Sequence, residues 1–353
     1  MTDTVKTKAH GGIGHITLNR PEALHALNLP MCEAIHSILQ DWREDDAVKM
    51  VLIDHEDGSR GFCAGGDIAM LAESGKGDGQ EARAFFAEEY RMNAAIKSFP
   101  KPYLAIMDGV TMGGGVGLSV HGDFRVATER TLFAMPETGI GLFPDVGGGW
   151  FLPRLQGELG TWLALTGARL KGRDVFAAGV ATHFIPSDRL PELRLKLEAT
   201  EFGDDAATVL SELLAKLSEP AAQGSYEAHL RTINQCFAHD RAEAIVEALE
   251  RDGGEWASKQ AATIREKSPE TVKVALRQVR EGAACETFEE NMAMEYRIGW
   301  RKVQSADFLE GVRAVIIDKD HNPKWSPATL ESVSTADVER YFARLGENEL
   351  SFD

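Results

Sequence analysis

The chain reads as an α/β protein in its first half and as helix thereafter, and three observations say so. Short apolar runs alternate with helically spaced segments up to about residue 185. Strand signals nearly vanish beyond residue 190. Glycine clusters stand where strands give way to helices. The predicted division is therefore an α/β part over 1–190 and a helical part over 191–353.

Each element has its own signal. Residues 13–18 (IGHITL) read as a strand closed by "NRPEAL", and 30–42 as an amphipathic helix with Met31, Ile35, Ile38 and Trp42 on one stripe. "KMVLID" (49–54), "YLAIMDG" (103–109), "FRVATE" (124–129) and "ATHFI" (181–185) are further short strands. "SGKGDGQ" (74–80) is Gly-rich and polar, a flexible link. "SPETVKVALRQVREG" opens with Ser268 as N-cap and Pro269 at the first helical position; Val272, Leu276 and Val279 form its stripe, and Gly282 closes it. "VRAVIID" (312–318) continues from Phe308 at helical spacing and reads as helix.

Composition narrows the function. A formal net charge of −17 argues against a general binder of nucleic acid or membrane surfaces, both polyanionic. No apolar run is long enough to span a bilayer, and the first twenty residues show no targeting pattern. Cys32, Cys63, Cys236 and Cys285 are irregularly spaced without a CxxC pair, which disfavours zinc and predicts free thiols in a reduced, cytoplasmic setting.

Chemistry gathers in three glycine-rich segments: "GFCAGGDIAML" (61–71), "MDGVTMGGGVGLSV" (107–120) and "AMPETGIGLFPDVGGGWF" (134–151). Glycines at strand-to-helix turns let a ligand approach the backbone and leave N–H groups pointing outward, and two such amides converging make an oxyanion hole. The plainer reading is that they only permit tight turns. None has the form of a phosphate loop. The third segment holds two acids, Glu137 and Asp145, among Gly, Pro and large apolar residues. Taken singly, Glu137 suits a helix start or a turn, and Asp145 an N-cap or a turn. Glu89 takes the i+4 place on a stripe with Phe85, Met92 and Ile96, so it either reaches water from the stripe's edge or is an inward-facing functional acid. Together these features point to an acid–base site with an oxyanion hole, acting on a carbonyl or thioester.

"ITLNRPEALHALN", "FCAGGDIAML", "TMGGGVGLSVHGDFRVATERTLFAMPETGIGLFPDVGGGWFLPRLQG" and "LTGARLKGRDVFAAGVATHFI" resemble the enoyl-CoA hydratase/isomerase (crotonase) superfamily. More narrowly, the chain is similar to the thioester-hydrolase branch, whose C-terminal segments ordinary crotonases lack. Here "SPETVKVALRQVREG", "MEYRIGWRKV", "DFLEGVRAVIIDKDHNPKWSP" and "YFARLGENELSF" carry that likeness. The resemblance implies a crotonase-like ββα spiral core with a helical C-terminal region, two near-perpendicular sheets wrapped by helices.

It also implies roles. The amides of Gly66 and Gly114 would form the oxyanion hole. Glu89, Gly114, Glu137 and Asp145 would contact substrate, with Glu137 and Asp145 catalytic. Ala23, Leu24, Ala26, Cys63, Ala64, Gly65, Asp67 and Ile68 would cradle coenzyme A, which arrives as part of an acyl-CoA substrate, so no separate cofactor or metal is expected. Arg20, Lys101 and Arg154 are candidate cations for its phosphates by their nearness to the motifs. Hydratases of this kind carry a second glutamate three residues after the middle glycine of GGG, where this chain has Gly117. Glycine cannot move a proton, so hydration is disfavoured; hydrolysis of a 3-hydroxyacyl thioester of valine breakdown is what the resemblance implies instead. The alternatives are a hydratase or isomerase working through Glu137 alone, and a non-catalytic CoA-thioester binder. Such relatives commonly form trimers or dimers of trimers, which leaves a homo-oligomer open here.

Overall fold

The computed structural model describes residues 3–220 and 223–352. The chain forms two compact units, each assembled from three stretches: Met1–Gly66, Arg91–Phe133 and Leu170–Ser225 make the first, and Asp67–Tyr90, Ala134–Arg169 and Tyr226–Asp353 the second.

The first unit holds the sheets. Strands β1 (Val5–His10), β2 (Ile13–Leu18), β3 (Met50–His55), β5 (Tyr103–Met107), β7 (Phe124–Ala127) and β10 (His183–Phe184) form one sheet in the order β1-β2-β3-β5-β7-β10. Its inner pairs are parallel and only β1–β2 is an antiparallel hairpin. That explains the sequence pattern: β5 is a continuous apolar run and β3 is one over Met50–Ile53, and both strands are buried along their whole length, as parallel interior strands require. β1 is the edge and carries Lys6 and Lys8 outward, which blunts further pairing. Strands β4 (Gly61–Cys63), β6 (Val110–Met112), β8 (Leu132–Ala134) and β9 (Leu170–Lys171) make a second, smaller sheet in that order. Five strands, β1, β4, β6, β8 and β9, carry no strand signal in the sequence. Four of them are only two or three residues long, too short for periodicity to register.

The helix expected at 30–42 runs Leu29–Glu44, capped by the Asn28 side chain on Met31 N–H. Met31, Ile35 and Trp42 are buried as expected, whereas Leu39 replaces Ile38 on the buried face. The helices Leu190–Glu198 and Ala206–Leu217 pack Leu193, Leu197, Leu210 and Leu214 into the core cluster of the first sheet. The change of character at residue 190 is thus real in secondary structure. The compact units nevertheless interleave along the chain instead of meeting at one cut.

The second unit is helical. Its helices Pro269–Ala284 and Phe288–Lys302 begin with Ser268 and Thr287 as N-caps, the latter in a full capping box with Glu290. Gly282 does not close its helix, which continues to Ala284. It sits inside because a Cβ there would lie 2.0 Å from the Gly149 carbonyl oxygen. The 74–80 link shrinks likewise: helix Ile68–Lys76 contains Ser74–Lys76, and Gly75 is buried against the Val303 carbonyl. Residues 312–317 are helical as expected and Asp318 follows as the cap, the helix Ala306–Val312 passing into a π-turn at Arg313–Ile317.

Candidate active site

In the first unit the predicted coenzyme-binding loop and the amides lie along one backbone seam. The Leu27 N–H donates to the Gly65 carbonyl at 2.7 Å and the Ala64 N–H to the Leu24 carbonyl at 3.0 Å. Leu27 and Gly66 form a parallel bridge, and the Cys63 thiol donates to the His25 carbonyl. Leu24 and His25 both take left-handed backbone conformations, an uncommon state that places their carbonyls on this seam. Ala23, Leu24, Ala26, Ala64 and Gly66 are half-buried, while Cys63 and Gly65 are buried.

Gly114 is the first residue of the helix Gly114–Ser119, entered through Gly113 at φ +46°. A Cβ on Gly65 would sit 4.0 Å from the Gly114 nitrogen, and one on Gly115 2.3 Å from the Cys63 carbonyl oxygen. The absence of a side chain at Gly115 is what allows the two turns to approach. Gly117 is buried within the same helix and offers no side chain.

Asp67 and Ile68 fall in the second unit. Asp67 caps the helix Ile68–Lys76, accepting the Met70 N–H at 3.3 Å. The candidate cations all serve backbone. Arg20 donates to the Ala26 carbonyl, Lys101 to the Trp42 and Asp45 carbonyls, and Arg154 to the Trp150 and Gly282 carbonyls.

The acids gather in the second unit. Glu89 and its neighbour Tyr90 come from the helix Gln80–Lys97, Glu137 opens the short turn Glu137–Ile140, and Asp145 precedes the glycine run. Glu89 is 2% exposed, Glu137 5% and Asp145 5%. Glu89 faces inward and does not reach water from the edge of its stripe. Its Oε1 and the Glu137 Oε2 are buried without a hydrogen-bond partner, a costly state that a protein keeps for chemistry or binding.

Asp145 does not cap a helix with its side chain, contrary to the N-cap reading. Gly147 occupies that position and the Asp145 carboxyl instead receives the Tyr90 hydroxyl at 3.0 Å. Burial holds Glu89 well above the usual carboxylate range, and the charges of Asp145 and Glu137 add to it. Burial lifts Glu137 in the same way, with Asp145 contributing. Burial pushes Asp145 up to about 7, with the Tyr90 hydrogen bond pulling the other way. Three carboxyls in one buried cluster cannot all ionise freely, so protons are held there near neutral pH.

Two members of this neighbourhood escape a reading by motifs. Tyr90 is fully buried and hidden beside Glu88 and Glu89 in an apparently polar stretch. Glu295 is wholly buried on the helix Phe288–Lys302, accepting the Gly147 and Gly149 N–H groups at 2.7 and 2.8 Å. Its signal was a charge on an apolar stripe with Met292 and Ile298.

Among the described residues no group of three or more His, Cys, Asp or Glu is arranged to hold a metal ion, and no helix is long and apolar enough to cross a membrane. Among the described residues no cysteine forms a disulfide.

The sequence matches the family description "Enoyl-CoA hydratase/isomerase" over residues 13–342. It is 50% identical over 355 aligned positions to a protein of Rattus norvegicus named 3-hydroxyisobutyryl-CoA hydrolase, mitochondrial, covering 99% of this chain and 91% of that one. The Homo sapiens protein of the same name is 48% identical, with 99% and 91% covered. Among solved structures, a carnitinyl-CoA dehydratase from Mycobacterium thermoresistibile superposes with a TM-score of 0.93 at 39% identity, covering 100% of this chain and 99% of that one. An enoyl-CoA hydratase from Rhodobacter sphaeroides superposes with a TM-score of 0.90 at 38% identity, covering 99% and 100%.

The names of the two curated relatives overturn the cytoplasmic expectation, since both read mitochondrial. Free thiols ask only for a reducing compartment and do not single out the cytosol. Motifs, fold and near-complete matches agree on one conclusion: the chain belongs to the enoyl-CoA hydratase/isomerase (crotonase) family, with the fold of that family.

Proposed function

We propose that this protein hydrolyses the thioester of 3-hydroxyisobutyryl-CoA, giving 3-hydroxyisobutyrate and free coenzyme A. The observation that carries the reading is the buried trio Glu89, Glu137 and Asp145, together with Gly117 where a hydratase needs its second glutamate. The hydrolase names of relatives near 50% identity support it.

The amides of Gly66 and Gly114 polarise the thioester carbonyl and hold the oxyanion; one such donor is typically worth about 10²–10³ in rate. Glu137, ionised, activates a water, or attacks the carbonyl itself to give a mixed anhydride that water then opens. In either route the C–S bond breaks and the thiolate takes a proton to leave as CoA thiol. Asp145 accepts the substrate's 3-hydroxyl, and Glu89 lines the acyl end. Coenzyme A comes with the substrate, so the reaction asks for no resident cofactor. Ala23, Leu24, Ala26 and the Cys63–Gly65 backbone, with Asp67 and Ile68, cradle it.

Two solved relatives are named dehydratase and hydratase, so hydration is the competing reaction. Free thiol is followed on mixing the protein with 3-hydroxyisobutyryl-CoA, while the absorbance of crotonyl-CoA is followed in parallel. Thiol release without loss of crotonyl absorbance supports hydrolysis, and Glu137→Gln then lowers kcat by about 10²–10⁴. Crotonyl hydration without thiol release overturns it. Silence in both assays favours a non-catalytic binder.

A further inference from the structure

Glu295 belongs to none of the roles above, and its surroundings are unusual for a buried acid. Its Oε2 accepts the Gly147 N–H at 2.7 Å. Its Oε1 accepts the Gly149 N–H at 2.8 Å, Asn291 Nδ2 at 2.9 Å and Gln278 Nε2 at 3.1 Å. All four partners are donors, which is the environment of an ionised carboxylate. Burial pushes the group the other way, up to about 8, so holding the charge there costs stability. A neutral side chain of similar size would fill the place at lower cost.

The donors show what the carboxylate holds. Gly147 and Gly149 follow Asp145 by two and four residues. Gln278, tied to Glu295, also donates to the Pro144 carbonyl at 2.7 Å, on the other side of Asp145. Between them lies Val146 at φ +51°, a left-handed conformation that a β-branched residue adopts only when its surroundings force it. Gly149 fits beneath the clamp because a Cβ there would lie 2.5 Å from Asn291 Oδ1 and 3.1 Å from Glu295 Oε1. The backbone on both sides of Asp145 is therefore fixed, and its carboxyl is left facing the Tyr90 hydroxyl.

We infer that Glu295 is a positioning residue for the reaction, clamping the 144–149 loop so that Asp145 faces the substrate's hydroxyl. This rests on the hydrolase reading. A carboxylate suits the task because two acceptor oxygens hold two backbone N–H groups at once. The amide of glutamine has one acceptor oxygen and would aim its own N–H₂ at a donor.

The test compares the full-length protein with Glu295→Gln, reading kcat and KM for thiol release, the thermal midpoint, and hydrogen exchange at Gly147 and Gly149. The expected result is loss of exchange protection at both glycines, kcat lower by at least about 30-fold, and KM within about threefold. The thermal midpoint should not fall in step, since the variant also removes a buried charge. Should Glu295→Gln not fold, Glu295→Asp, which withdraws the charge by one methylene, is judged by the same criteria. A kcat within threefold of wild type, or unchanged protection at the glycines, overturns the proposal. A wild type that releases no thiol overturns the hydrolase reading instead; if protection is still lost in the variant, Glu295 is only a fold clamp and its part in the reaction is overturned.

Discussion

A buried carboxyl whose proton affinity is raised makes the folded state hold a proton that the unfolded chain has released. The native state then loses stability as pH rises from the ordinary carboxylate value, near 4, through the raised one. Asp145, at about 7, sets the window, and Glu89 and Glu137 shift in the same direction. Glu89→Gln removes one member of the cluster and its repulsion with Asp145 and Glu137. Its thermal midpoint at pH 8 is expected to rise by about 1–2 °C, about 1 kcal/mol for a chain of 353 residues, with little gain at pH 5. Thiol release should fall about tenfold or more, a trade of activity against stability. Calorimetry at the two pH values checks the first; a midpoint that falls at pH 8 would mean that Glu89 makes a stabilising contact. The acid was visible in the sequence as a break in an apolar stripe, but periodicity alone could not say whether it faced water. Its burial is decided by elements far along the chain, which local spacing does not encode.

The same limit appears for whole elements. Ser268 and Pro269 announced their helix correctly, and Val272, Leu276 and Val279 are buried as the stripe requires. Gly282 read as a stop signal because glycine usually ends helices. Here it is an inner position where Gly149 O would come within 2.0 Å of a Cβ, with the Gly149 carbonyl carbon at 2.6 Å and Asn291 Oδ1 at 2.9 Å. Only the tertiary approach of the glycine run explains it, and no window of one helix contains that information. Gly282→Ala must move backbone, which is costlier than turning a side chain. The expected loss is about 2–3 kcal/mol, with a lower midpoint in denaturant and reduced kcat from a displaced 145–149 loop. An unchanged midpoint would show that the helix Pro269–Ala284 can slide away from the loop at no cost.

At the scale of the molecule, the sequence shows where strand gives way to helix but not which stretches pack together. The unit that carries Glu89, Glu137 and Asp145 draws on 67–90 and 134–169, yet it is completed by residues beyond 225. Trp162 donates its indole N–H to Gln260 at 2.8 Å, and Gly147 and Gly149 donate to Glu295. Gly75 and Gly141 pack against the carbonyls of Val303 and Asp307. A fragment of residues 1–190 would keep the acids and lose every one of these partners. It would also lose Leu193, Leu197, Leu210 and Leu214 from the core of the first sheet. Large apolar areas would then face water at roughly 25 cal/mol per Å², far beyond the margin of about 5–15 kcal/mol by which a domain is stable. Expressed alone, the fragment is expected to be insoluble or to lack near-ultraviolet circular dichroism, and mild proteolysis of the whole chain should leave no stable piece ending near 190. A soluble fragment with native-like aromatic signals would instead establish 1–190 as a domain that folds by itself, with the later helices as an addition to it.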